Sequence, residues 1–166
     1  MAAALVPLQN ITLGSAQSSV TFASIPTTGY RDLRLVVSAK PNGTGYPAVY
    51  VRANGDSGSN YSTVRMAGNG STTNSVASSA TGFSIASAYG LGPTAGAMSN
   101  HLVDIQDAFA SDKHKTALAR SNTPNDGLEA SASRWASTSA ITSLTVGTNV
   151  DSFAAGSTFA LYGVVA

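Results

Sequence analysis

The chain has 166 residues, a formal net charge of +1, 10 % charged residues and no cysteine. Near-neutral charge without a Lys/Arg cluster argues against a nucleic-acid surface, and the missing cysteines exclude disulfide staples and thiolate metal sites. No apolar run approaches the roughly 20 residues of a membrane-crossing helix, and the first residues lack the positive start of a signal peptide.

The length suits a single domain. An ordinary soluble domain is about one-quarter charged, and sheet proteins guard their edges with charge, lysine above all. Here only Lys40, Lys113 and Lys115 occur. A β-rich chain so poor in charge is expected to have much of its surface covered by partners. The competing reading is a Ser/Thr/Gly/Ala-rich sandwich that hydrates its own hydroxyls.

In chain order, Ile11 and Leu13 alternate with Thr12, and Val20 and Phe22 alternate with Thr21 and Ala23, which predicts two short strands. Ile25-Pro26 ends the second, because proline has no amide for the ladder and restricts the residue before it. Leu33, Leu35 and Val37 then share a face opposite Arg34, the pattern of a strand with one wet face. Next come Val49, Val51 and Ala53 alternating with Tyr50 and Arg52, a polar run over residues 54–60, and a second alternating stretch over 61–66. Strand, tight turn and strand predict a hairpin.

From 67 to 100 the signal weakens into an irregular region, with one short strand at 83–87 and an extended Gly/Pro loop at 89–96. Regular alternation resumes at His101, Val103 and Ile105, again at 116–121, and at 128–135, where alternating Ala and Ser suit close approach by another backbone. Two last strands are predicted around Ala140 to Val146 and Phe159 to Val164. No stretch holds a helical apolar period for three turns. Short strands at this spacing predict an all-β, single-domain antiparallel β-sandwich, jelly-roll-like, over residues 11–166, preceded by an N-terminal arm at 1–10.

Asn54, Asp56 and Asn60 offer oxygens at spaced positions, but one carboxylate is too few for a calcium loop, so a structural turn is the expectation. His101 and His114 are too few and too scattered for zinc. No Gly-x-Ser-x-Gly elbow presents a nucleophile. His101 reads as a strand residue satisfied by a neighbour. Trp135 and the tyrosines read as core or interface aromatics before a sugar-stacking platform.

Several phrases taken together carry a resemblance. They are Ser18-Ser19-Val20-Thr21-Phe22 to Ile25-Pro26, Tyr30-Arg31-Asp32-Leu33-Arg34-Leu35, and Asn54-Gly55-Asp56 with Asn60-Tyr61-Ser62. Toward the C-terminus they are Thr138-Ser139-Ala140-Ile141-Thr142-Ser143 and Phe153-Ala154-Ala155-Gly156-Ser157-Thr158-Phe159-Ala160-Leu161-Tyr162-Gly163. In this order the chain resembles small β-sandwich virion structural proteins of tailed bacteriophages. The resemblance implies a non-enzymatic protein without cofactor on the particle exterior. The leading expectation is a capsid decoration (cement) protein, a homotrimer that binds the major capsid protein on the outside of the head and stabilises it. The alternative is a tail or fibre component that recognises a host-surface glycan. The expected contact residues are Ala2, Ala3, Ala4, Leu5, Val6, Pro7 and Leu8 of the arm, with Tyr89, Leu91 and Pro93 of the irregular region.

Overall fold

The computed structural model describes residues 4–94 and 97–165. Twelve strands are assigned among them and no helix: β1 (Leu5–Thr12), β2 (Ser19–Phe22), β3 (Asp32–Ala39), β4 (Val49–Ala53), β5 (Tyr61–Gly68), β6 (Thr73–Ala80), β7 (Phe83–Ala86), β8 (Ser99–Gln106), β9 (Lys115–Thr123), β10 (Gly127–Trp135), β11 (Leu144–Thr148) and β12 (Thr158–Val164). They form an eight-stranded sheet in the order β1-β12-β3-β8-β9-β10-β5-β6 and a four-stranded sheet in the order β2-β11-β4-β7. Every pairing is antiparallel. The all-β sandwich expected from the strand spacing is what the chain forms.

Alternation decides the inner faces wherever the core is apolar. Leu33, Leu35 and Val37 of β3, Val103 and Ile105 of β8, and Phe159 and Leu161 of β12 point inward from the large sheet. Val20, Phe22, Val49, Val51, Leu144 and Val146 meet them from the small one. Arg34 lies on the outer face, where it makes two hydrogen bonds to Asp104 of β8 at 2.6 and 3.0 Å.

The expected hairpin over 46–66 is corrected. β4 pairs with β11 and β7 in the small sheet, whereas β5 pairs with β10 and β6 in the large one. The connecting loop is an arch between layers. Asn54 (φ 52) and Gly55 (φ 70) turn the backbone out of β4, and positive φ is what Asn and Gly tolerate best. Asn54 Oδ1 accepts from the amides of Thr142 and Ser143 at 2.8 and 3.2 Å, which pins the arch to the chain entering β11. Tyr61 then reaches back so that its hydroxyl accepts from the Ala53 amide at 3.1 Å.

Two further expectations change. Leu5–Thr12 form an edge strand paired with β12, so residues 5–10 of the expected arm lie in the sheet, while residues 1–3 lie outside the described residues. The region 67–100 holds β6 as well as β7, and β6 escapes periodicity because six of its eight residues are exposed.

Candidate interaction surface

On the half of the large sheet built from β5, β9 and β10 apolar residues stand on both faces: Tyr61, Ala67, Ala117, Ala119 and Trp135 are buried inside, while large apolar side chains also lie outside. Polar inward positions include Thr63, Arg65, Ser121, Thr123, Glu129, Ser131 and Ser133, and all of these but Arg65 are buried. Outward positions carry Val64, Met66, Leu118 and Leu128, which are 53, 63, 59 and 62 % exposed.

The inward polar side chains have a structural task, because they satisfy the backbone of β7 and the loop after it. Ser131 Oγ donates to Ser84 O at 2.6 Å, and Ser121 Oγ donates to Ile85 O at 2.8 Å. The Glu129 carboxylate accepts from the Ser87 amide at 3.0 Å and the Ala88 amide at 2.7 Å. Thr123 Oγ1 faces Gly90 O at 2.7 Å. A four-residue strand at a sheet edge leaves amides and carbonyls that must be paired when buried. Small hydroxyl side chains allow the close approach anticipated for residues 128–135. Arg65 Nη1 stands 4.0 Å from Glu129 Oε2.

The outward residues have no such task. Cross-strand register places Val64 beside Ala132 and Ala132 beside Leu118, while Met66 lies beside Ala130. Between Val64, Met66, Leu118, Ala130 and Ala132 lies a shallow depression of about 450 Å³. Arg120 and Arg134 project from the same outer face. Scattered exposed apolar residues are normal, but a contiguous group marks an interaction surface.

The contact residues expected from sequence do not gather here. Ala2 and Ala3 lie outside the described residues. Ala4 precedes β1, and its carbonyl accepts from the Val165 amide at 3.0 Å. Leu5, Val6 and Pro7 pair with β12, and Leu8 sits at the register shift with its side chain against the core. Tyr89 and Pro93 are half-buried, and Tyr89 lies by Thr123 of β9, so β12, β3 and β8 separate it from β1. Leu91 is fully buried and belongs to the core, not to a contact surface. Sequence reasoning missed Val64, Met66, Leu118 and Leu128. The available signal was the acid and serines alternating with Leu128, Ala130 and Ala132, which admits either facing.

The other singled-out residues have local roles. Asp56 Oδ1 accepts from the Gly58 amide at 2.8 Å, and Oδ2 accepts from Asn60 Nδ2 at 2.9 Å and Trp135 Nε1 at 2.7 Å. Its carboxylate therefore closes its own loop, and these donors hold it below its ordinary pKa. His101 is buried with Nδ1 2.9 Å from Ser121 Oγ. Since the serine hydrogen goes to Ile85 O, the imidazole carries its proton on Nδ1 and the serine accepts. Burial pushes His101 down to about 4. That pair is a structural link with the serine proton already committed. Trp135 stacks on Tyr61 at 6.1 Å, and Phe83 meets Tyr61 edge-on at 5.2 Å. Burial drives the Tyr61 phenol up to about 12. Among the described residues no three His, Asp or Glu side chains cluster so as to hold a metal ion. Compared with protein-family models, curated proteins and solved structures, the chain has no match.

Proposed function

We propose that this chain is a structural protein of a phage particle, a decoration protein that docks on the outer surface of the assembled head and stabilises it. The observation that carries the reading is the group of exposed apolar side chains on the outer face of β5, β9 and β10. Val64, Met66, Leu118 and Leu128 face water while Thr63, Glu129, Ser131 and Ser133 of the same sheet half are buried. Folding has no use for those four side chains outside, whereas a flat partner does. The phage context comes from the resemblance in the sequence.

Strand order adds support. Leaving aside β1, β12 and the β9–β10 hairpin, the remaining strands read β2-β11-β4-β7 against β3-β8-β5-β6. Each step along them except β5 to β6 crosses between sheets, the order expected of a jelly roll with added strands. Capsid and lectin domains both use that architecture, so the surface chooses between them. The aromatics give the glycan reading little. Trp135 and Tyr61 are core residues, Tyr50 lies under the Arg52 guanidinium at 4.3 Å, and the Tyr46 hydroxyl donates to Asp126 Oδ1 at 3.1 Å.

The mechanism is mass action. A protein that binds the assembled lattice, and not its free subunits, shifts the balance toward assembly, and many copies add. The test mixes purified protein with undecorated heads and follows co-sedimentation and density at fixed lattice positions. Wild type should occupy regular sites, and Met66→Glu with Leu118→Glu should abolish binding while leaving the thermal midpoint unchanged. Undiminished binding of that variant, or density confined to the tail, overturns the proposal.

A further inference from the structure

The two sheets present four edge strands, and three are blunted. β1 contains Pro7 and shifts register between Pro7 and Gln9. β2 has four residues, and β7 has four with a register shift against β4. Short edges, prolines and bulges are standard ways of preventing a sheet from adding a strand. The fourth edge, β6, uses none of them.

β6 runs for eight residues in unbroken register with β5, from Gly68 opposite Thr73 to Tyr61 opposite Ala80. Its sequence, Thr-Asn-Ser-Val-Ala-Ser-Ser-Ala, has no charge and no proline. Six of the eight residues are exposed, and Val76 and Ala80 are half-buried. At roughly 3.4 Å per residue the free edge is about 27 Å long. An open edge of this length offers a ladder of unpaired amides and carbonyls to another strand.

We propose that β6 pairs with β6 of a second copy of this chain, antiparallel about a two-fold axis perpendicular to the sheet. An isologous contact requires a surface that complements itself, and this edge does. Opposed residues in an antiparallel pair point to the same face, so such an axis must place one residue opposite itself, and the fullest overlap of the strand Thr73–Ala80 puts Val76 or Ala77 there. With Ala77 at the centre, Ser75 meets Ser79 and Val76 meets Ser78. With Val76 at the centre, Ser75 meets Ala77 and Asn74 meets Ser78. In both registers every opposed pair is small and neutral, so no like charges meet. The pairing joins two large sheets edge to edge and brings two copies of the apolar outer face onto one side. It makes the assembly a dimer, where the resemblance implies a trimer, and it holds whether or not the head is the partner.

The absence of cysteine makes the test direct. Directly opposed residues lie about 4.5–5.5 Å apart, within reach of a disulfide. Under mild oxidation either Val76→Cys or Ala77→Cys should therefore give a covalent dimer in high yield, while Val150→Cys, exposed in a distant turn, should not. Sedimentation equilibrium should show a wild-type dimer, and Ala77→Lys should weaken it about tenfold or more, because the two lysines are directly opposed in one register and diagonal neighbours in the other. The lysine variant should keep the wild-type thermal midpoint at monomeric concentration. A wild-type monomer or trimer at ~100 μM, near the upper working range of weak dimers, overturns the proposal. So does equal cross-linking at positions 76, 77 and 150, or an unchanged dimer in Ala77→Lys.

Discussion

Trp135 Nε1 donates to Asp56 Oδ2 across 2.7 Å, tying the last residue of β10 to the arch that carries the chain between the sheets. With the Gly58 amide and Asn60 Nδ2 on the same carboxylate, one acid holds the arch closed. The indole hydrogen bond contributes most to lowering its pKa from 3.8. A depressed carboxylate contributes stability that is fully present above its unfolded pKa and lost as pH falls through the folded value. Urea midpoints of wild type should therefore decline on acidification below about pH 3.8. Asp56→Asn should start lower at pH 7 and lose that acid limb. An identical acid limb in the variant would assign it to another carboxylate.

His101 acts in a different window. Burial lowers it from 6.5 to about 4, so between those values the unfolded chain binds a proton that the folded chain does not. Stability is fully present above pH 6.5, falls toward pH 4, and loses nothing more from this group below that. The shift corresponds to a loss on the order of 3 kcal/mol. His101→Asn keeps a donor toward Ser121 and removes the titration, so its stability should stay flat from pH 6.5 to 4. A parallel decline in both proteins would show that another group titrates there.

The sequence makes the apolar half of the sandwich legible and the polar half opaque, for a physical reason. Over β3, β11 and β12, and at Val103 and Ile105 of β8, the core is chiefly Leu, Ile, Val and Phe, so alternation and burial coincide. Over β5, β9 and β10 the interior satisfies backbone groups of residues 84–90, so serine, threonine and glutamate go inside. Periodicity then reports the strand and misreports its face. The same limit produced the false hairpin. Val49, Val51 and Tyr61 all point inward, and a period of two cannot say whether two inward-facing strands share a sheet or oppose each other across it. β6 shows no clear period, since six of its eight residues are exposed and only Val76 and Ala80 are half-buried.

Lys115 is the strongest case of a residue whose role sequence could not reveal. It is fully buried at the first position of β9, and its ammonium donates to three carbonyls, those of Ala110, Lys113 at 3.0 Å and Thr138 at 3.2 Å. Lysine is rarely buried unless its charge is satisfied, and here three backbone oxygens surround it. The ammonium binds the turn before β9 to the segment after β10, the same end of the sheet that Trp135 and Asp56 secure. Lys115→Met keeps the length and removes the donor, which leaves the three carbonyls without it at the site. The expected cost is about 3 kcal/mol, because an unsatisfied buried acceptor costs roughly 1–3 kcal/mol and some of the three will find water. Urea unfolding at pH 7 measures it. The m-value should remain that of wild type, since the same surface is exposed on unfolding. A loss below ~0.5 kcal/mol, the range of ordinary surface substitutions, would mean that the carbonyls are solvated without the lysine and that the two segments are held by the apolar core alone.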